Sequence, residues 1–357
     1  MSDKKRVRVG VIGAGAWAAT NHIPILKARD DVELVVACRP GKAPLETLKA
    51  RFGFPYVTED YREALQHSLD VVIVASPPAL HYQHASAALE AGAHVMCEKP
   101  FTVDPADAWK LVHLAERHDR QLVVSFGFNW LPTVDRAKEL LEKHPIGNIR
   151  HSLTHIATDV WQLLHGVGFY QEADPTFLPD AATWSDPKSS GGGFAPGQLS
   201  HGLALLLWLS GLIPEEVSAM LEPQEVDLYD ALLLKFTNGS IGVASGVSTQ
   251  DGGAPREQME VRLTGDEGHF VLDLEREQLA TYNPKEHLVA IELAKGDGLY
   301  RCDGPVNAIV DMALGRSVVS RSPGELGARV VDIVHAAAQS SRKKAPVGIA
   351  SRDPVRA

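Results

Sequence analysis

The 357-residue chain reads as an α/β protein in two parts: a doubly wound, mostly parallel sheet first, then an α/β domain built on a large, mainly antiparallel open sheet. Three observations carry this reading. A β-branched run from Val7 to Ile12 breaks into a glycine-rich turn before a helical stretch. Strand-like and helix-like segments then alternate as far as Ser125, the pattern of parallel strands joined by crossover helices. From Gly127 onward the strands become longer, alternate apolar with polar residues and have fewer helices between them, as in a sheet with one covered face. Length agrees, because one hydrophobic core rarely grows beyond about 250–300 residues. The change of pattern sets the expected domains at 1–126 and 127–357.

The first turn is Gly13-Ala14-Gly15-Ala16-Trp17-Ala18, a GxGxxA between strand and helix. Gly13 permits the tight turn, Gly15 lets the backbone approach a pyrophosphate, and Ala18 is small enough for close helix-to-strand packing. The N–H groups of the helix that follows, with Ala16 and Trp17 at its start, would face the phosphates. These features predict a Rossmann dinucleotide site. The second strand, Glu33 to Cys38, ends where such a fold reads the adenosine ribose, and NAD calls for an acidic residue there. The chain has Cys38-Arg39-Pro40-Gly41-Lys42 instead. Glu33 cannot substitute, because five residues of strand put it about 16 Å from the tip. Arg39 and Lys42 suit a 2′-phosphate, which favours NADP over NAD; the alternative is an NAD protein in which Arg39 stacks on adenine.

The alternation continues through a short strand at Val57, a helix from Asp60 to Gln66, a strand from Asp70 to Ala75 and a helix from Ala79 to Ala91. A strand from His94 to Cys97, a helix from Pro105 to His118 and a strand from Gln121 to Ser125 complete it. Ligands bind beyond the carboxyl ends of such strands. Three loops leave those ends: Ser76-Pro77-Pro78 with His81 after it, Glu98-Lys99-Pro100, and Gly127-Phe128-Asn129. Ser76, Pro77, His81, Glu98, Lys99 and Asn129 are therefore expected around the cofactor. Lys99 is the candidate to orient a substrate oxygen and move its proton, since desolvation and nearby positive charge lower a lysine pKa from about 10.4. Glu98 would hold the nicotinamide ribose or the lysine. The plainer alternative for this pair is an exposed ion pair of little energetic weight.

In the second part, strands are expected at Ala231 to Phe236, Ser240 to Val247 and Glu260 to Thr264. The run Gly191 to Gly193 leads to an apolar helix from Gln198 to Trp208, with His201 in its first turn as a candidate general base. Between His155 and Ser190 lies an irregular segment rich in aromatic residues and proline, including Trp161, Phe169, Tyr170, Phe177 and Trp184. With Asp159, Gln162 and His165 it would suit stacking on a sugar ring; the alternative is a lid or a subunit contact. Asn129 and Trp130 open this part beside the cleft, and with Gln198 they join the expected substrate contacts.

Several of these motifs together resemble the Gfo/Idh/MocA oxidoreductases. The resemblance is carried by the Rossmann start, Ser76-Pro77-Pro78-x-x-His81, and above all Ala93-His94-Val95-Met96-Cys97-Glu98-Lys99-Pro100. It continues in Ile146 to His151, the Gly191–Gly193 run followed by His201, and a terminal helix from Glu325 to Arg342. It implies hydride transfer between a nicotinamide cofactor and a secondary alcohol or ketone of a sugar, cyclitol or glycoside. It also implies a cis peptide before Pro100 and a homo-oligomer, dimer or tetramer, formed through one face of the open sheet. One position departs. Relatives commonly read GGGxxxDxxxH, with carboxylate and histidine one helical turn apart, whereas this chain has Gly197 at the carboxylate position. Three readings stay open: Gln198 or Ser200 supplies a neutral hydrogen bond, the glycine makes room for a bulky substrate, or His201 is only a core histidine. An arginine common in relatives near Asn129 is also missing.

Composition limits the partners. A net charge of −10 and a pI near 5.8 argue against a nucleic-acid backbone or an anionic membrane. The charged start followed by a short Gly-rich apolar run reads as a strand and turn rather than a secretory signal, and no apolar stretch reaches membrane-spanning length. Cys38, Cys97 and Cys302 show no CxxC spacing, which suits a reducing, cytoplasmic address. No metal site is expected, because His22, His81, His84 and His201 fall in different segments without an HExxH. There is no GxSxG. Two other functions remain in view: an enzyme that retains its cofactor and oxidises a glycoside transiently, and a non-catalytic dinucleotide sensor.

Overall fold

The computed structural model describes residues 6–167, 175–178, 182–250 and 257–350. Its first sheet has six strands: β1 (Val7–Ile12), β2 (Val32–Cys38), β3 (Tyr56–Thr58), β4 (Val71–Val74), β5 (His94–Cys97) and β6 (Leu122–Val124). All are parallel, in the order β3-β2-β1-β4-β5-β6, the doubly wound order that leaves a crevice where β1 meets β4. Continuous Val and Ile runs suit strands buried on both faces, and every residue of β4 is buried. Helices α1 (Lys42–Phe52), α2 (His81–Glu90) and α3 (Pro105–Arg117) cover them. The start of α3 is set by its sequence: Asp104 caps the N–H of Ala106 at 2.7 Å and Pro105 takes the first helical position.

The second sheet has nine strands: β7 (Ile149–Thr158), β8 (Pro214–Glu222), β9 (Tyr229–Phe236), β10 (Ile241–Ser248), β11 (Gln258–Gly265), β12 (His269–Asp273), β13 (Gln278–Asn283), β14 (His287–Glu292) and β15 (Val347–Gly348). Only β7 and β10 run parallel; the other pairings are antiparallel. The strict alternation of exposed and buried residues in β9 shows one face covered and one open. Four longer helices come from this part of the chain: α4 (Pro132–Lys143), α5 (Ser200–Ser210), α6 (Asp303–Ala313) and α7 (Gly324–Lys343). α5 is apolar on nearly every side and lies buried on the covered face against β7 and β11. α7 packs on β8 and also on α3, and α6 lies along β5, so both helices also contact the first unit. Among the described residues no helix is long and apolar enough to cross a membrane.

Two expected helices differ from the pattern reading. The stretch 60–66 is one α-turn, Tyr61–Ala64, followed by a 3₁₀ turn. The segment before α5, Ala195–Leu199, is a π-turn in which the Ser200 N–H reaches back to the Ala195 carbonyl. Pro196 lacks an N–H and Gly197 is permissive, so the ordinary helical ladder is weak there. A second π-turn, Ala18–His22, follows the glycine-rich turn. Turns of this kind recur at functional sites.

Candidate active site

The carboxyl ends of β1, β2, β4 and β5 open into a cleft of about 770 Å³ whose other wall comes from the second part of the chain, including Val160, Leu164, Trp184 and Gly197. The glycine-rich turn forms its floor. Gly13 has φ +83°, and a Cβ there would lie 2.1 Å from the Ser76 backbone nitrogen, so only glycine fits. At Gly15 the nearest atom to a Cβ is 3.8 Å away, which leaves its cleft side open to a ligand. Ala16, Trp17, Ser76 and Pro77 line the same wall. His84 joins them and meets the Ser76 hydroxyl at 2.9 Å. Arg39 flanks the mouth, its guanidinium 5.8 Å from the Phe177 ring and 3.4 Å from the carbonyls of Ala14 and Phe177.

Glu98 is the most constrained polar group on the cleft wall. One carboxylate oxygen accepts from Trp17 Nε1 at 3.0 Å and meets His22 Nε2 at 2.7 Å, while the other accepts the Lys99 N–H at 3.0 Å. The π-turn brings Trp17 and His22, five residues apart, onto the same oxygen. Burial alone would raise this carboxyl, but the His22 hydrogen bond and charge, with Lys99, take it down to about 2. It is therefore ionised at neutral pH. His22 is fully buried, and its Nδ1 has no partner. Sequence reading considered His22 only as a metal ligand; its signal was the five-residue spacing from Trp17, which means something only once the turn is known to be π.

Lys99 projects from the cis Lys99–Pro100 peptide and donates from Nζ to the Gly197 carbonyl at 2.9 Å. Burial lowers its pKa, partly offset by the carboxylates of Glu98 and Glu257. Behind it, His201 is buried and enclosed edge-on by Phe126, Phe128 and Tyr300 at ring distances of 5.8, 5.5 and 5.4 Å. Burial and the Lys99 charge hold its pKa far below the usual histidine range, so the imidazole is neutral. Its Nδ1 has no partner. A Cβ at Gly197 would meet no atom within 4 Å, so the space a carboxylate would fill is empty. Gln198 lines the cleft, whereas the buried hydroxyl of Ser200 is without a partner and Ser200 borders a separate cavity behind Pro100.

Other expected site residues lie elsewhere. His81 is buried and does not line the cleft, with Nδ1 2.8 Å from the Pro100 carbonyl and Nε2 2.7 Å from that of Ser76, so it ties two loops together. Asn129 is fully buried and donates to the Arg321 carbonyl at 3.0 Å, and Trp130 Nε1 donates to Ser322 at 2.8 Å. Both are fastened to the segment before α7, because the chain turns inward after β6. Lys42 is exposed at the start of α1 and does not line the cleft. Asp159 accepts the Thr249 hydroxyl, and Trp161 stacks on His165 at 3.8 Å; both border Val160 at the rim. Phe169 and Tyr170 lie outside the described residues.

Fold and cleft together define a dinucleotide-binding oxidoreductase architecture. Residues 7–126 match the family model described as "Oxidoreductase family, NAD-binding Rossmann fold", and residues 134–271 match that of the GFO/IDH/MocA C-terminal domain. The chain belongs to the Gfo/Idh/MocA oxidoreductase family. It is 33% identical to the D-glucoside 3-dehydrogenase of Escherichia coli over 144 residues, 40% of this chain and 41% of that protein. It is 29% identical to an uncharacterised oxidoreductase of Schizosaccharomyces pombe over 239 residues, 64% of this chain and 60% of that one. The chain thus spans about two- to three-fifths of these curated relatives. A levoglucosan dehydrogenase solved with NADH and levoglucosan superposes with TM-score 0.77 at 22% identity, covering 97% of this chain and 100% of the other. GenD2 from gentamicin A biosynthesis, solved with NAD, gives 0.76 at 23%, covering 97% of each chain. At these identities the two structures establish the fold.

Proposed function

We propose that the chain transfers a hydride between a nicotinamide dinucleotide and a secondary alcohol or ketone of a sugar, cyclitol or glycoside. The observation that carries this reading is Lys99: an amine lowered by burial, pinned at 2.9 Å to the Gly197 carbonyl and standing on the wall of a cleft floored by the glycine-rich turn. The 1–126 unit holds the dinucleotide, and the 127–357 unit covers it and supplies substrate contacts, with Gln198 and the Trp161 rim as candidates. The cofactor supplies the redox step; the protein contributes proximity and proton handling. Lys99 orients the substrate oxygen and takes up or returns its proton; His201 behind it, which burial and the Lys99 charge keep neutral, offers a hydrogen-bond acceptor beside the reacting centre rather than a strong base. Glu98, ionised and fixed by Trp17 and His22, holds the lysine loop in register with the cofactor.

Two features bear on the cofactor's 2′ group in opposite senses. Arg39 on the cleft wall suits a phosphate. Glu59, Asp60 and Glu63 lie near enough to Cys38 to help burial push its thiol up to about 12, which favours an uncharged ribose. Those carboxylates are already engaged, by the Gly41 N–H at 2.6 Å, the Arg62 N–H at 2.8 Å and the Thr58 hydroxyl at 2.5 Å. Arg39 lines the cleft and those carboxylates do not, so NADP is the proposed cofactor, NAD the second reading. The cytoplasm is the proposed compartment, since the three cysteines stand unpaired.

Fluorescence titration with NADPH and NADH, followed by turnover assays on sugars, cyclitols and glycosides with each bound cofactor, tests this. Tighter NADPH binding and turnover of a panel member are expected. Lys99→Ala should lower turnover by roughly 100-fold or more with cofactor affinity nearly unchanged. Retained cofactor with no need for added dinucleotide would point to transient oxidation, binding without turnover to a sensor, and full activity of Lys99→Ala would remove the assignment.

A further inference from the structure

Gly197 gives Lys99 no acidic neighbour on the α5 side, yet the strand end next to Val160 brings a carboxylate within its electrostatic reach. β7 and β11 pair antiparallel, with Gln258 opposite Ala157, so the residue before Gln258 stands beside Thr158 and Asp159 at the cleft end of the sheet. That residue is Glu257. Side chains alternate along β11, and Met259, Val261 and Leu263 are buried on the face that carries α5. Two residues before Met259, Glu257 shares that face, beside Thr158 and close enough to Lys99 for the two charges to act on each other. Glu257 itself is open to solvent. Beside it the Thr158 hydroxyl is buried without a partner.

We propose that Glu257 is the positioning carboxylate for Lys99, entering from the sheet side in place of the one that position 197 lacks. The idea rests on the proposed role of Lys99. The interaction is reciprocal: the Glu257 charge raises the Lys99 pKa against burial, and the Lys99 charge lowers that of Glu257, which burial first and Asp159 second hold above the usual carboxylate range. Moving the acid from helix to strand frees the volume next to Gly197 for substrate while the amine keeps a counter-charge. Glu257 acts through Lys99, so its loss should misplace and discharge the amine without touching the dinucleotide.

The test compares wild type, Glu257→Gln and the double variant Gly197→Asp/Glu257→Gln, each checked for unchanged thermal unfolding and NADPH binding. The pH dependence of Lys99 acetylation by acetic anhydride, followed by mass spectrometry, needs no substrate. In Glu257→Gln its midpoint should move to lower pH, and the double variant should restore it. With a panel substrate, Glu257→Gln should lose roughly 100-fold in kcat with a smaller change in KM. Its pH–rate profile should shift in the same direction as the acetylation midpoint, and Gly197→Asp should recover at least part of the rate. An unchanged acetylation midpoint in Glu257→Gln overturns the proposal whatever the turnover. If wild type turns over no panel member, the catalytic reading of the chain fails, while the midpoint still decides whether Glu257 governs Lys99.

Discussion

Glu98 joins stability to function at the scale of one side chain. Its carboxyl sits at about 2 in the folded chain against an ordinary value of 4.5, so folding favours the ionised form. The stabilisation is complete above about pH 4.5 and is lost as pH falls through about 2; for a buried group the difference amounts to roughly 3 kcal/mol. Glu98→Gln should therefore cost about that much in urea unfolding at neutral pH and flatten the fall in stability between about pH 4.5 and 2. The same acid slope in variant and wild type would rule this out. Glu98 and Lys99 were legible in the sequence because their motif is local. His22 and Glu257 were not: the five-residue spacing of His22 from Trp17 has meaning only in a π-turn, Glu257 has no local signature, and each acquires a role only from what stands across a gap in the chain.

Among the elements, the glycine-rich turn and the two π-turns decide the most. Gly13→Ala must place a Cβ 2.1 Å from the Ser76 backbone nitrogen at φ +83°, a combination with no relaxed solution because the obstructing atom is main chain. Loss of about 1–3 kcal/mol in stability and of measurable dinucleotide binding is expected. Gly15→Ala, with 3.8 Å to its nearest neighbour, should leave the melting temperature nearly unchanged and weaken dinucleotide binding alone. Thermal unfolding and a fluorescence titration on the same samples separate the two effects; equal behaviour of both variants would contradict the division of labour. The π-turns were invisible to a 3.6-residue reading, since they differ from an α-helix by one inserted residue. They place Trp17 with His22 on Glu98 and turn the Gly197 carbonyl toward Lys99.

The open face of the nine-stranded sheet is the main unassigned surface of the whole molecule. Met220, Leu233 and Ile241, 79%, 62% and 58% exposed, lie on adjacent strands β8, β9 and β10. An apolar patch on a sheet face marks an association surface, and we propose a homo-oligomer built there. Leu233→Glu should lower the assembly mass in sedimentation or light scattering while leaving the monomer's fold intact by circular dichroism; an unchanged mass would move the interface elsewhere. By itself the sequence determined the class of each sheet, the glycine-rich turn and the Lys99 loop, because hydrophobic period and short motifs act over neighbouring residues. Tertiary structure alone decided that His81, Asn129 and Trp130 brace loops instead of lining the cleft, that His22 meets Glu98, and that the Glu257 charge falls within reach of Lys99. Those outcomes depend on which segments the two sheets bring within a few ångströms of each other, and no periodicity along the chain encodes a distance between residues separated by 76 or 158 positions.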